Sequence, residues 1–158
     1  MNRRLTLTLV VNDREITRTA PAHHTLLRWL REAGMWDVRY GCGEGVCGAC
    51  TVLVDGRAVS GCLVLAAQVA GRRIQTAAGL VQEETATDLQ RAFLEHGAVQ
   101  CGYCTSGMFL AGTELLDSGE PVDRDRVVRA LEGNLCRCTG YQGIVEAILE
   151  TAARRAER

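Results

Sequence analysis

The chain has 158 residues, of which 47% are hydrophobic, and a formal net charge of −1, an ordinary globular composition that leaves one domain or two small ones open. There is no basic excess for nucleic acid, and seven aromatic residues offer little for base stacking. The apolar-rich residues 5–11 are broken by threonines and run into Asn12-Asp13-Arg14, too short for a signal peptide or a membrane span, so a cytoplasmic protein without membrane or nucleic-acid contacts is expected.

Leu5, Leu7 and Leu9 alternate with Thr6 and Thr8, Asn12-Asp13 suits a tight turn, and the strand pattern resumes over residues 14–19, which predicts a β-hairpin. Apolar residues at helical spacing over 25–33 predict a helix that Gly34 can close in the left-handed conformation. After a cysteine-rich stretch, 51–54 reads as a strand, Asp55-Gly56 as a turn and 57–60 as the return. Residues 63–69 read as a short helix and 73–76 as a last strand. A mixed sheet crossed by one helix and carrying a long metal loop is a β-grasp arrangement.

Residues 77–85 lack a strong period, which places a domain boundary there and divides the chain into 1–78 and 79–158. Beyond it the period is helical. Thr87-x-x-Gln90 is a capping-box pattern for a helix to about Glu95, with His96-Gly97 as its stop. Met108, Phe109, Leu115 and Leu116 mark a second helix ending near Ser118-Gly119. Asp123 can cap a third, ending at Gly133-Asn134. Thr139-x-x-Gln142 is another capping box, opening a fourth with Ile144, Val145, Ile148, Leu149 and Ala152 on one face. The fold class is therefore α+β, a β-grasp half followed by a small antiparallel four-helix bundle.

Eight cysteines, all in clusters, are the unusual feature. No secretory pattern precedes them, their density is below that of a disulfide scaffold, and C-x2-C and C-x-C pairs suit metals better than disulfides. Residues 40–51 read Y-G-C-G-E-G-V-C-G-A-C-T, and Cys62 follows after the predicted hairpin. Cys42, Cys47 and Cys50 thus have C-x4-C-x2-C spacing, that of a plant-type 2Fe-2S ferredoxin site, where four thiolates complete two tetrahedral irons. Gly41, Gly43, Gly45 and Gly48 let this loop take positive φ and aim N–H groups at an anionic cluster. The same glycines match G-x-G-x-x-G, but ligand-type cysteines interrupt it and no strand-turn-helix context surrounds it, so dinucleotide binding is rejected. Cys101-Gly102-Tyr103-Cys104 and Cys136-Arg137-Cys138 sit in helix-connecting stretches that a bundle can bring together as a second four-thiolate site. By spacing alone, structural zinc stays open there.

Taken together, G-C-G-E-G-V-C-G-A-C-T-V at 41–52, Cys62-Leu63, Q-C-G-Y-C-T at 100–105 and G-N-L-C-R-C-T-G-Y at 133–141 resemble the small iron-sulfur subunits of molybdenum hydroxylases. That group includes xanthine dehydrogenase, aldehyde oxidoreductase and carbon monoxide dehydrogenase, and the resemblance covers nearly the whole chain. It implies a plant-type 2Fe-2S ferredoxin-like domain over 1–78, a helical 2Fe-2S-binding domain over 79–158, and one cluster in each. Cys42, Cys47, Cys50 and Cys62 match the ligands of the family's flavin-side cluster. Cys101, Cys104, Cys136 and Cys138 match those of the cluster nearer molybdenum. Gln100 and Cys138 match cofactor-binding positions that lie against the pterin in relatives. The implied role is an electron-transfer oxidoreductase subunit with no catalytic residue of its own, passing electrons from a molybdenum-pterin cofactor through two 2Fe-2S clusters to FAD. The implied partners are a large molybdenum-cofactor subunit and a medium FAD subunit, in a dimer of heterotrimers. A free-standing two-cluster electron carrier is the alternative, and an apolar surface on the helical half would count against it.

One departure from the family pattern is Ser106, where relatives usually carry Pro; Ser can cap the first helical turn that Pro would preset. His23, His24 and His96 read as surface or helix-end residues rather than ligands, and Trp29 and Trp36 as packing over the first half. Glu44 reads as a solvated loop charge, and 153–158 as a basic tail that frays.

Overall fold

The computed structural model describes residues 3–81 and 84–157. Strands β1 (Arg4–Val11) and β2 (Arg14–Pro21) form the expected antiparallel hairpin, with Leu9 opposite Ile16. Asn12 and Asp13 turn it at φ 51° and 60°, the paired left-handed conformation a two-residue hairpin needs. β3 (Thr51–Val54) and β4 (Arg57–Ser60) form a second hairpin, turned at Asp55 and Gly56. β5 (Arg73–Gln75) runs parallel to β1 and antiparallel to β3, giving a mixed sheet of order β2-β1-β5-β3-β4.

Helix α1 (Leu26–Glu32) crosses this sheet. The Thr25 hydroxyl accepts the Arg28 N–H at 3.3 Å, and Gly34 closes the helix at φ +90°. Leu26, Leu27, Trp29 and Leu30 bury against Leu9, Val11, Val52, Val54 and Ile74. Trp29 packs as expected, but Trp36 is 62% exposed, with the Arg31 guanidinium 4.9 Å from its ring. His24 is buried rather than superficial, because 65–66 pair with the entry to α1 and cover it. The same pairing shortens the predicted 63–69 helix. The Val64 carbonyl accepts from Leu26 N–H and Leu65 bridges Thr25, so only Ala66–Val69 coils, as a single 3-10 turn.

The helical half holds α2 (Ala77–Leu80), α3 (Glu84–Glu95), α4 (Thr105–Asp117), α5 (Arg124–Leu131) and α6 (Gln142–Ala156). The stretch read as an aperiodic boundary contains α2; the Asn12 side chain accepts Thr76 N–H at 2.9 Å just before it, and residues 82–83 of that stretch lie outside the described residues. α3 begins at Glu84, ahead of the predicted Thr87 cap. Asp123 caps α5 as expected, accepting Arg126 N–H at 2.8 Å. α6 opens at Gln142, not at Thr139, with Tyr141 left-handed at φ 67° in the capping position. Its last turn does not fray: Arg154 pairs with Glu95 and Glu150, and Arg155 with Asp117, while Arg158 lies outside the described residues. Among the described residues no helix is long and apolar enough to cross a membrane.

β3 is the wall between the two halves. All four of its residues are buried. Alternation along a strand sends successive side chains to opposite faces, so Val52 and Val54 enter the α1 core while Leu53 enters the helical core with Leu89, Phe109 and Ile148. α4 lies against β3 and β4, and Arg57 reaches Glu114 at 2.9 Å. This packing sets the cysteine loop before β3 beside the ends of the helices.

Candidate metal centres

Cys42, Cys47 and Cys50 lie on the loop from α1 to β3, and the β3–β4 hairpin returns the chain so that Cys62 faces Cys50. The loop curls around sulfur. Cys42 N–H donates to Cys47 Sγ at 3.3 Å and Glu44 N–H to Cys42 Sγ at 3.3 Å. The exposed Glu44 thus contributes through its backbone. A Cβ on Gly41 would sit 2.6 Å from Cys47 Sγ, so the sulfur occupies space that only glycine leaves. Cys50 and Cys62 are buried, whereas Cys42 and Cys47 are partly open.

The second set comes from two connections in the helical half. Cys101 and Cys104 precede α4, with Cys104 in its capping position; Cys136 and Cys138 lie between α5 and α6. Cys101 and Cys138 are 3.5 Å apart and exposed, and Cys104 and Cys136 are half-buried neighbours. Thr139 explains why α6 starts late. Its N–H donates to Cys136 Sγ at 3.4 Å, and its hydroxyl lies 3.1 Å from the same sulfur. The residue read as a helix cap serves a thiol instead. Ser106 does not cap either: it is the second residue of α4, with its hydroxyl oxygen buried and unpartnered.

Several of these thiols are shifted from the ordinary proton affinity, in both directions. The Glu44 N–H and the Cys47 thiol hold Cys42 down at about 6. Burial pushes Cys50 up to about 11 and Cys104 up to about 12. For Cys136 burial works upward, but the Thr139 hydroxyl and N–H outweigh it and bring it to about 7. Cys101 is lowered by Tyr103 N–H and its partner Cys138, which is raised in return. Any metal taken up at Cys50 or Cys104 would have to displace a proton.

The donors fit a 2Fe-2S group. Each set holds four thiols in two neighbouring pairs, Cys42 with Cys47 and Cys50 with Cys62, then Cys101 with Cys138 and Cys104 with Cys136. Two protein thiolates per iron is what such a cluster takes, and backbone N–H groups aimed at sulfur stabilise its charge. The histidines stay apart: His24 faces Glu32, and His96, at the end of α3, pairs with Glu150.

The two loops touch through features that spacing did not reveal. Leu135 N–H donates to the Cys47 carbonyl at 2.9 Å. The Asn134 amide donates to Gly48 O at 3.2 Å, and the Tyr103 hydroxyl donates to Tyr40 O. Asn134 was legible only as a helix stop, since its partner lies 86 residues away. Gln100 and Cys138 both stand exposed beside Cys101.

Comparison with known proteins agrees with this geometry. Residues 9–79 match a family model described as a 2Fe-2S iron-sulfur cluster binding domain, and residues 76–149 one described as a 2Fe-2S binding domain. The chain is 47% identical to the nicotine 6-hydroxylase small subunit of Paenarthrobacter nicotinovorans, over 93% of this chain and 89% of that one. It is 42% identical to the xanthine dehydrogenase iron-sulfur-binding subunit of Escherichia coli O157:H7, over 92% and 93%. The fold matches a chain of quinoline 2-oxidoreductase from Pseudomonas putida 86 with a TM-score of 0.87 and 39% identity, over 98% of this chain and 97% of that one. It also matches 17% of the longer aldehyde oxidoreductase chain from Desulfovibrio desulfuricans ATCC 27774, at a TM-score of 0.87 and 34% identity.

Proposed function

Because the chain belongs to the family of small 2Fe-2S subunits of molybdenum hydroxylases, we propose that its two thiol sets are consecutive stations on one electron path. It is an oxidoreductase subunit that carries two 2Fe-2S clusters and transfers electrons. One cluster is held by Cys42, Cys47, Cys50 and Cys62 and the other by Cys101, Cys104, Cys136 and Cys138. When bound, each cluster accepts and releases one electron at a time. The division between the halves falls at 78/79.

One observation carries the reading: the Leu135 N–H bonded to the Cys47 carbonyl, with Cys136 next in the chain. A ligand of one set is thereby joined to a ligand of the other by a single hydrogen bond through backbone. The Asn134 amide and Tyr103 hydroxyl brace the same contact from both sides. The chain contributes fixed geometry, N–H groups and the Thr139 hydroxyl around sulfur, which suits a conductor with no substrate chemistry.

Gln100 and the exposed pair Cys101–Cys138 form the entry side, against a large subunit with a molybdenum-pterin cofactor. Exposed Val99, Tyr103 and Leu135 around them supply the apolar surface that favours a permanent partner over a free-standing carrier. The N-terminal loop forms the exit side, toward FAD in a medium subunit, with Trp36, Tyr40, Val46 and Leu63 exposed around it. The assembly is a cytoplasmic dimer of heterotrimers.

The test is made on the purified complex. About four iron and four labile sulfide per small subunit are expected, with two distinguishable reduced-cluster EPR signals. In Cys47→Ala the N-terminal signal should vanish while substrate still reduces the C-terminal one, and turnover with the flavin's acceptor should collapse. Zinc without sulfide at either set, or a C-terminal cluster that substrate no longer reduces in an intact complex, would overturn the path.

A further inference from the structure

Tyr141 is left over by everything described so far. It is a non-glycine residue at φ 67°, in the capping position of α6, and it makes no side-chain cap there. Its hydroxyl is turned back across the preceding loop. It accepts Cys136 N–H at 2.9 Å and donates to Asn134 O at 3.2 Å. These are the two residues that flank Leu135.

We infer that Tyr141 is a positioning residue for the contact between the two thiol sets: its hydroxyl clamps the backbone on both sides of Leu135 and thereby aims the Leu135 N–H at the Cys47 carbonyl. The Leu135 side chain is 57% exposed and gives the loop little packing of its own. The backbone at 134–136 is therefore held by hydrogen bonds. Asn134 is fixed through its amide to Gly48 and through its N–H to Leu131 O. Cys136 is fixed at sulfur by Thr139. Between those anchors the phenol holds two peptide groups directly, accepting from Cys136 N–H and donating to Asn134 O. Tyr141 N–H in turn donates to the Thr139 hydroxyl at 3.2 Å, which ties the clamp to the residue supporting Cys136 Sγ. The left-handed backbone of Tyr141 is a local cost that is accepted where surrounding structure fixes the residue for another purpose.

This inference rests on the two-cluster reading above, and the two are separable by experiment. Iron and sulfide content tests the reading; amide exchange at Leu135 and the magnetic interaction between the dithionite-reduced clusters test the clamp. In the cluster-loaded complex, Tyr141→Phe keeps the ring and removes only the hydroxyl. Iron and sulfide should stay at wild-type content, while protection of the Leu135 amide falls about tenfold, the equivalent of one to two hydrogen bonds. The spin–spin splitting between the two reduced clusters should broaden or weaken, which packing of the ring alone would not produce. 4-Aminophenylalanine at 141, which restores a donor and a weak acceptor, should recover much of the protection. It also serves as the test variant if Tyr141→Phe gives no folded chain, with protection expected between wild type and unprotected. Wild-type exchange and splitting in Tyr141→Phe would overturn the inference, and so would loss of iron from that variant, which would make the tyrosine a support of the cluster rather than of the contact.

Discussion

Two glycines in the same helix should respond unequally to alanine. Gly107 and Gly112 both lie inside α4, where replacing glycine by alanine ordinarily favours the helix by about 1 kcal/mol. At Gly112 the new Cβ would meet Ile148 Cδ1 at 3.1 Å, the far end of a flexible side chain, which can yield by a few tenths of an ångström. Gly112→Ala is expected within about 1 kcal/mol of wild type, because the helical gain and the crowding are of similar size. At Gly107 the Cβ would stand 2.2 Å from Gly48 O and 2.8 Å from the Asn134 amide nitrogen. Gly48 O is backbone and has no rotamer to give. Relief requires α4 and the cysteine loop to separate by roughly an ångström, which also stretches the 3.2 Å bond from Asn134 to Gly48 O. Overpacking of about 1–3 kcal/mol plus one lost buried hydrogen bond of about 1 kcal/mol exceeds the helical gain. Gly107→Ala should therefore be destabilised by about 1–3 kcal/mol. Denaturant midpoints of the loaded chain, followed by cluster absorbance and by circular dichroism, measure both variants. A Gly107→Ala chain as stable as Gly112→Ala would refute the claim that α4 is seated against the cysteine loop by that glycine.

Two further outcomes follow from single side chains. Ser106→Pro removes an unpartnered buried hydroxyl in the first turn of α4, and is expected to raise stability by about 0.4–1 kcal/mol through the unfolded state; loss of the C-terminal cluster in that variant would show that the turn needs the Ser106 N–H. Burial lowers the His24 pKa from 6.5, against the opposing pull of Glu32, so the unfolded chain takes up the proton first as pH falls. Stability linked to His24 is thus complete above about pH 6.5 and is lost as pH falls toward its lowered folded value. Unfolding midpoints between about pH 7.5 and 5.5 should slope downward in wild type and flatten in His24→Gln; equal slopes would exclude the histidine as the titrating group.

The elements that were legible from sequence are those whose signal is local. Alternation in 5–9 and the left-handed pairs Asn12-Asp13 and Asp55-Gly56 specify hairpins without help from elsewhere. Asp123 caps as read, its carboxylate accepting Arg126 N–H; Thr25, read only as the start of the helical run, caps α1 in the same way. Thr139-x-x-Gln142 has the same local grammar and fails, because Cys136 Sγ claims both the N–H and the hydroxyl of Thr139. The eight thiols were legible as two sets from spacing, but the pairing across each set was not, since Cys50 reaches Cys62 only through the β3–β4 hairpin and Cys101 reaches Cys138 only through the bundle. Trp36 was read as packing over the first half and is exposed, because hydrophobicity alone does not say which apolar residues are kept for another surface.

The contact between the halves combines bare glycines and main-chain groups with two side-chain braces, the Asn134 amide and the Tyr103 hydroxyl. Gly48 and Gly107 let α4 and the cysteine loop approach as close as backbone allows, and the Leu135 N–H and Cys47 C=O complete the join. A side chain on either glycine would push α4 and the loop apart, and transfer between redox groups weakens steeply with separation. A strand that faces two cores serves the same end. Because Val52 and Val54 belong to one core and Leu53 to the other, the halves cannot rotate about β3 without exposing one set of apolar residues. The chain therefore gains rigidity where distance matters, from burial on both faces of one strand.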